Sequence, residues 1–244
     1  MLERMFEHGP MTTALQELPA RAGAGPEQGE RPLPVLPPLA PLLPHGVLRR
    51  GSTVVVQGSP SLLLALLAGP SKAGSWCAVV GMPTLGLVAA AEAGVALDRL
   101  PLVPAPGADW ASVAAALLDA LDVVVVAPRS RVRDGDARRL AARARQRGSV
   151  LVPFGVRPGG WDALPGAGVA PGGWPGADLW LTVGDARWEG LGDGHGHLRA
   201  RHVEVRCEGR GSAARPRRAR LWLPDRGGGV SLLSAVVPIR QRAG

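Results

Sequence analysis

A short strand that passes through a tight turn into a leucine-rich helix constrains the fold of this chain more than any other stretch. It lies at residues 51–68, where the β-branched run 53–56 is followed by the turn Gly-Ser-Pro-Ser at 58–61 and then by leucines. This order of strand, loop and helix is the setting of a phosphate-binding P-loop. The stretch therefore predicts a β-α unit with the layout of a nucleotide-binding loop, although any α/β domain contains β-α units.

The side chains that perform the chemistry of a P-loop are missing from this stretch. The motif G-x-x-x-x-G-K-[ST] needs a lysine for the phosphate charge and a hydroxyl for Mg²⁺. Counted from Gly58, its second glycine falls on Leu63, its lysine on Leu64 and its hydroxyl on Ala65. The one lysine of the chain is Lys72, beyond the predicted helix. The sequence therefore predicts a nucleotide-binding type of fold that binds no cofactor. The residues that remain from such a loop are Gly58, Ser59 and Ser61.

Length and composition favour one globular domain inside the cell. The 244 residues are 46% hydrophobic, which is enough for a sizeable core, and no apolar run is long enough to cross a membrane. The N-terminus has charges and prolines where a signal peptide needs an apolar segment, so we expect a cytoplasmic protein, with Met1 and Met11 both open as its start. Cys77 and Cys207 lack metal-ligand spacing, so we expect buried thiols and predict no metal site.

Positive charge is concentrated in two segments. The chain carries a net charge of +8, and residues 129–147 and 199–226 each carry +6, which leaves −4 for the remainder. Two basic segments on an otherwise slightly acidic protein predict an anionic partner, with nucleic acid as the first candidate. The alternative interpretation is an arginine-rich helix and hairpin that are simply solvated.

The remaining pattern predicts an arm, one α/β domain and a tail. The arm, 1–40, begins with a short amphipathic helix within 1–18 and then runs extended, because residues 19–44 contain eight prolines. The domain, 41–226, alternates strands with helices, which predicts a mainly parallel central sheet flanked by helices, with C-terminal antiparallel strands. The tail is 227–244. Predicted parallel strands are 53–56, 76–80, 100–103, 122–126 and 149–152, and predicted antiparallel strands are 177–183, 188–191, 201–207 and 217–223. Predicted helices are 62–68, 85–94, 109–121 and 136–147, with Asp109 and Asp136 as N-caps.

Four segments, in order along residues 42–223, carry a resemblance to a known family. They are Leu-Pro-His-Gly-Val-Leu-Arg-Arg-Gly at 43–51, Ala-Gly-Val-Ala-Leu-Asp-Arg-Leu at 93–100, Asp-Val-Val-Val-Val-Ala-Pro-Arg at 122–129 and Gly-Gly-Trp-Pro-Gly-Ala-Asp-Leu-Trp at 172–180. The span resembles the core of the bacterial recombinase RecA, and more closely the degenerate RecA-like accessory proteins of the ImuA type. The resemblance implies a RecA-like fold over most of the chain.

The departures from the recombinase pattern concern the residues that hydrolyse ATP. The Walker B aspartate position is Ala127, the catalytic glutamate position is Pro83, and the phosphate lysine position is Leu64. Phosphoryl transfer depends on the lysine and the metal for transition-state charge, with a carboxylate to position water. Because all three positions are changed together, we predict a pseudo-ATPase that is not an enzyme.

The resemblance implies a non-catalytic adaptor in DNA repair and error-prone translesion DNA synthesis. Proteins of the ImuA type work in the SOS response with ImuB, an inactive Y-family polymerase relative, and through it with an error-prone DnaE-type polymerase, together called a mutasome. Such a role implies a nucleoid-associated location. The apolar tail after the glycines at 227–229 is predicted to dock on the partner, and the alternative is that it packs on its own domain. The docking residues are Leu232, Leu233, Val236 and Val237.

A second interpretation is an ATP-independent DNA-binding protein that uses RecA-type loops and basic patches. Arginines that meet phosphates and aromatic rings that stack on bases are what binding of single-stranded DNA requires. A third interpretation, an enzyme with a metal at Asp193, His195 and His197, has little support, because the run Gly-Asp-Gly-His-Gly-His is typical of a hairpin turn. The candidate DNA or partner contacts are Arg129, Arg131, Arg133, Arg157, Trp161, Trp174, Arg215, Arg217, Arg218 and Arg220.

Overall fold

The computed structural model describes residues 31–128, 132–155, 173–192 and 195–238. The predicted N-terminal helix and both candidate starts lie outside the described residues. In the described ranges the chain forms four α-helices: α1 Pro60–Lys72, α2 Leu87–Ala93, α3 Trp110–Ala120 and α4 Asp134–Arg147. The same ranges hold eleven strands: β1 Leu33–Pro34, β2 Val47–Leu48, β3 Val54–Gln57, β4 Cys77–Val80, β5 Leu102–Val103, β6 Val123–Val126, β7 Val150–Pro153, β8 Leu179–Gly192, β9 His195–Gly209, β10 Arg217–Trp222 and β11 Ser231–Pro238.

The central sheet is parallel on one side and antiparallel on the other. Strands β5, β4, β6 and β7 are parallel neighbours in that order, and β3 lies beside β7 through two isolated parallel bridges. On its other side β3 pairs in parallel with β8, after which β9, β10 and β11 follow as antiparallel strands. The predicted fold class is confirmed, and the strand that leads into the phosphate-type loop lies in the middle of the sheet.

Helices cover both faces of the parallel part. The four valines of β6 are all buried, and they alternate between two hydrophobic clusters, Val123 and Val125 in one and Val124 and Val126 in the other. The first cluster contains the leucines of α1, and the second contains the apolar residues of α3 and α4. A continuous apolar strand of this kind forms because both of its faces lie against helices.

Two helices end at glycines, whereas the predicted N-caps are not formed as expected. Gly94 (φ 94°) follows α2 and Gly148 (φ 68°) follows α4, both in the left-handed conformation that favours glycine. Asp109 stands at the N-cap of α3, but its side chain makes no capping hydrogen bond. Asp136 lies inside the first turn of α4, which begins at Asp134 with Arg133 at the N-cap, so that cap prediction was wrong. A carboxylate in the first turn still interacts favourably with the helix dipole.

The predicted arm is part of the domain from about residue 33 onwards. Strand β1 pairs antiparallel with β2, and the leucines between the prolines are buried in the first cluster. The domain boundary at residue 41 and the extended run to residue 44 were therefore wrong. Prolines suppress regular hydrogen bonding, but they leave the intervening leucines free to pack on α1. The buried leucines are Leu33, Leu39, Leu42 and Leu43.

Two C-terminal features also differ from the prediction. The two predicted strands, 177–183 and 188–191, are replaced by one long strand, β8, which begins at Leu179. It pairs with β9 through register shifts between Val183 and Ala186 and between Glu189 and Leu191. The glycines at 227–229 form a turn, in which the Asp225 carboxylate accepts hydrogen bonds from two backbone N–H groups, and lead into β11. The tail is thus a strand of the domain's own sheet, which was the alternative interpretation.

Both cysteine thiols are buried, as predicted. Burial raises the pKa of Cys77 and that of Cys207 to about 12 each. No α-helix among the described residues is long and apolar enough to cross a membrane.

We expect the stability of the protein to fall as the pH rises above 9. The unfolded thiols lose their protons near pH 8.5, whereas the folded thiols keep theirs to about pH 12, so the unfolded state binds fewer protons in this window. Each thiol then lowers the free energy of unfolding by about 1.4 kcal/mol per pH unit. The chain has no tyrosine and one lysine, so few other groups titrate there. Urea unfolding from pH 8 to 11 measures the slope, and a Cys77→Ala/Cys207→Ala variant with an unchanged slope would contradict its assignment to the thiols.

Candidate functional site

The loop at the centre of the sheet has the backbone layout of a phosphate-binding loop. Strand β3 ends at Gln57, Gly58 takes a positive φ of 75°, and Ser59 is the N-cap of α1. The Ser59 hydroxyl accepts a hydrogen bond from the backbone N–H of Leu62 at 3.2 Å. Backbone N–H groups at such a helix start form an anion site when the space in front of them is open.

An arginine of the protein itself contacts this loop. Arg201, on β9, donates a hydrogen bond from Nη2 to the Ser59 Oγ at 2.8 Å and one from Nε to the Leu223 carbonyl at 2.9 Å. Its guanidinium lies 5.3 Å from the centroid of the Trp188 ring, and burial lowers its pKa. Ser59 is 0% exposed. The hydroxyl that would face a ligand is therefore buried and hydrogen-bonded to a cation of the same chain.

The positions of the lost P-loop residues lie in the core. Leu63, Leu64 and Ala65 are all buried in the first hydrophobic cluster. Leu64 and Ser61 also line a cavity of about 400 Å³ between α1, α2 and the turn before β11. This cavity carries carboxylates as well as guanidinium groups, so its charge is mixed. Its charged lining residues are Glu92, Arg199, Asp225 and Arg226.

The positions of the lost metal-binding and catalytic carboxylates lie at the carboxyl ends of the parallel strands. Ala127 is buried directly after β6, and Pro83 is exposed after β4. Ala127 and Gly81 line an open groove of about 520 Å³ whose other walls are largely proline and alanine. Among the described residues, no three His, Cys, Asp or Glu side chains lie close enough to hold a metal ion.

The structure brings few of the predicted DNA-loop residues together. Arg129, Arg131, Arg157 and Trp161 lie outside the described residues, and so does Asp193 of the metal alternative. Arg133 is exposed at the N-cap of α4. Trp174 is 0% exposed and packs edge-to-face on Trp110, with ring centroids 6.4 Å apart. The prediction that Trp174 stacks on bases was therefore wrong, because its ring is enclosed between the sheet and α3.

The basic helix α4 is largely paired with carboxylates. Arg143 and Arg147 both bind Asp119 of α3, and the Arg143 hydrogen bond lowers the pKa of Asp119. Arg138 and Arg139 pair with acidic residues in the first turn of their own helix, Asp134 and Asp136. Exposed pairs of this kind add little stability, but they reduce the positive charge that this helix offers to a partner. These contacts favour the interpretation of α4 as a solvated arginine-rich helix.

The four C-terminal candidate arginines lie on or next to β10, and three of them are exposed. Arg215 is exposed before β10, Arg218 and Arg220 are exposed on β10, and Arg217 is half-buried opposite Cys207. Sequence reasoning missed the residues of neighbouring strands that share a face with Arg218 and Arg220, although the alternation within 202–206 was a signal for them. It also missed Arg201, for which no local signal exists, because Arg201 and Ser59 are 142 residues apart in the chain. The missed residues on the shared face are Arg187, His202, Arg206 and Trp222.

The chain has a RecA-like α/β fold, and its phosphate-type loop is hydrogen-bonded to an arginine of the same chain. A solved structure of similar fold is the RadB recombinase, which matches 81% of this chain and 97% of that chain with a TM-score of 0.55 at 15% sequence identity. The chain belongs to the family described as the MT3502 N-terminal domain, whose model matches residues 41–162. It is also 43% identical over 115 residues to the protein Rv3395c of Mycobacterium tuberculosis, a match that covers 47% of this chain and 55% of that protein. The chain therefore spans about half the length of this relative.

Proposed function

We propose that this protein is a non-catalytic RecA-like accessory protein in DNA repair. Its specific role is that of an adaptor in error-prone translesion DNA synthesis, bound to an ImuB-like inactive Y-family polymerase relative and through it to a DnaE-type polymerase. The observation that carries the proposal is the contact between Arg201 and the buried Ser59 at a loop that lacks its lysine. The resemblance to the ImuA type supports the finer role, and the likeness to the RadB recombinase supports the fold on which it rests.

The side chains at three positions support the proposal that the protein does not hydrolyse ATP. A leucine packed in the core stands at the lysine position, Leu64, and an alanine stands at the Walker B position, Ala127. Neither side chain is able to neutralise phosphate charge or order Mg²⁺, and Pro83 offers no carboxylate to a water molecule. A protein that has the RecA-like sheet but lacks these groups is suited to bind partner proteins through its surface.

The edge strand β11 is the surface that we propose for the polymerase-related partner. It pairs with β10 on one side, and among the described residues no strand pairs with its other side. Leu232 and Leu233 are 47% and 38% exposed on it. An exposed edge with apolar side chains favours the addition of a strand from another chain. The side chains of Val236 and Val237 lie outside the described residues.

ATP binding tests the non-catalytic part of this proposal. We expect no retention of radiolabelled ATP by the protein in equilibrium dialysis with Mg²⁺ at millimolar nucleotide, because Arg201 binds the Ser59 hydroxyl and the loop has no lysine for the phosphate charge. We expect the same of an Arg201→Ala variant, since removing the arginine does not restore the lysine. Tight ATP binding that a Ser59→Ala substitution abolishes would overturn this part.

Capture of the partner tests the adaptor part. We expect the purified protein to bind an inactive Y-family polymerase relative, and a Leu232→Glu/Leu233→Glu variant to lose at least about tenfold in affinity, since two charges enter an apolar contact. A matched control is Leu87→Glu, because Leu87 is a similarly exposed leucine, 42%, on α2. Equal loss in the control, or no loss in the edge variant, would overturn the assignment to β11.

A second candidate function is ATP-independent DNA binding. The observation that favours it is the exposure of Arg218 and Arg220, for which no described carboxylate lies within ion-pair distance. Unpaired guanidinium groups on a surface bind phosphates.

A further inference from the structure

The outward-facing side of β9 and β10 is basic. Along β10 the side chains of Ala219 and Leu221 are buried in the core beneath the sheet, and the alternate positions 218, 220 and 222 therefore face outward. Along β9 the same alternation buries Val203 and Val205 and turns 202, 204 and 206 outward. We call these six residues, with Arg187 of β8, the outer sheet face.

The strand register places one pair of like charges directly opposite each other on the outer sheet face. Arg218 is paired directly with Arg206, and Arg220 with Glu204. Glu204 is engaged by Arg206, whose Nε donates to Oε1 at 2.9 Å. Like charges directly opposite on a sheet are destabilising, so folding alone does not favour the pair of Arg206 and Arg218. An anionic ligand between the two guanidinium groups would offset this repulsion.

Two aromatic rings lie among these arginines. Trp222 is half-buried and opposite His202, and their rings meet edge-to-face with centroids 5.8 Å apart. His202 is in turn opposite Arg187 of β8. An antiparallel sheet face that combines arginines with accessible aromatic rings is the arrangement with which proteins hold single-stranded nucleic acids. An acidic chain such as polyglutamate would use the charges but has no aromatic ring to stack on Trp222.

We propose that the outer sheet face binds single-stranded nucleic acid. Arg187, Arg206, Arg218 and Arg220 contact phosphates, and Trp222 stacks on a base. This inference rests on the second candidate function and places the contact on the sheet instead of on the RecA-type loops. The proposed contacts lie on β8, β9 and β10, whereas the protein partner is proposed to pair with the unpaired edge of β11.

The salt dependence of binding to a fluorescent oligothymidylate tests the phosphate contacts. With four contacts, the wild-type protein is expected to lose about 50-fold in affinity between about 50 and 200 mM salt. The Arg218→Gln/Arg220→Gln variant keeps two contacts, so its affinity is expected to fall about 7-fold over the same salt range. At low salt it is expected to bind more weakly than the wild type. The matched control, Arg138→Gln/Arg139→Gln on α4, removes the same charge and is expected to retain the wild-type dependence.

Substitution of Trp222 tests the stacking. Trp222→Leu is expected to weaken binding about 5- to 150-fold, and Trp222→Phe to restore most of it, because phenylalanine keeps an aromatic face. Circular dichroism and urea unfolding verify that both variants are folded. If Trp222→Leu binds as well as the wild type, or if polyglutamate competes as well as the oligonucleotide, the proposal of a nucleic-acid face is overturned.

The outcomes separate the site from the function on which it rests. Absence of oligothymidylate binding by the wild-type protein would overturn both the DNA-binding function and this site. Binding by the wild type that the Arg218→Gln/Arg220→Gln and Trp222→Leu variants retain in full would overturn the outer sheet face alone. Loss in these variants together with retention in the α4 control supports the proposal.

Discussion

Replacing Trp174 with alanine is expected to lower the free energy of unfolding by about 3 to 5 kcal/mol. Trp174 is the largest side chain that the structure encloses completely, and it packs between the sheet and α3 against Trp110. Removing the indole leaves a cavity that the surrounding strands and helix are too rigid to fill, so both the transfer free energy and the lost contacts contribute. Urea unfolding followed by circular dichroism measures the loss.

The companion substitution Trp174→Phe separates a core role from a DNA-binding role. Phenylalanine keeps part of the buried volume, so we expect a smaller loss of stability than with alanine. If Trp174 stacked on bases instead, alanine would weaken binding to single-stranded DNA and leave the unfolding midpoint in place. That result would contradict the burial described above.

Replacing Gly69 with alanine is expected to destabilise the protein by about 2 to 3 kcal/mol. Gly69 lies inside α1, where alanine would ordinarily stabilise a helix by about 1 kcal/mol. A Cβ at this position would stand 2.6 Å from the Pro34 carbonyl oxygen and 2.6 Å from the Val35 Cα, which are backbone atoms of the segment that crosses the helix. The segment or the helix must therefore shift, and the buried leucines that hold the segment in place lose packing.

Gly135 offers a matched control within the same chain. It lies in α4, and a Cβ built there meets nothing within 4 Å. Gly135→Ala is expected to stabilise the protein by about 0.5 to 1 kcal/mol, so the two glycine substitutions have opposite signs. Stabilisation by both, measured as urea unfolding midpoints, would show that residues 33–35 do not pack on α1.

The sequence predicted strands, helices and turns correctly where the pattern extends over only a few neighbouring residues. The four valines of β6 predict a strand buried on both faces, and the apolar spacing of residues 113–121 predicts α3. The turn after β3 predicts the layout of the loop, and the structure places the buried Leu64 in α1 and the buried Ala127 directly after β6. Such patterns are readable because side-chain alternation and helical spacing act over a few residues.

Contacts between distant parts of the chain determined which residues are buried and which charges are paired. Proline content predicts an extended arm, but the leucines between the prolines pack with the leucines of α1 in the hydrophobic core. A tryptophan in a glycine-rich segment looks like a ligand contact until α3 covers it, and Arg201 meets Ser59 across 142 residues. Likewise, the basic segment 199–226 becomes an ordered face only when β9 and β10 pair in register. Local periodicity therefore set the elements and their order, whereas burial and charge pairing depended on which elements the sheet brought together.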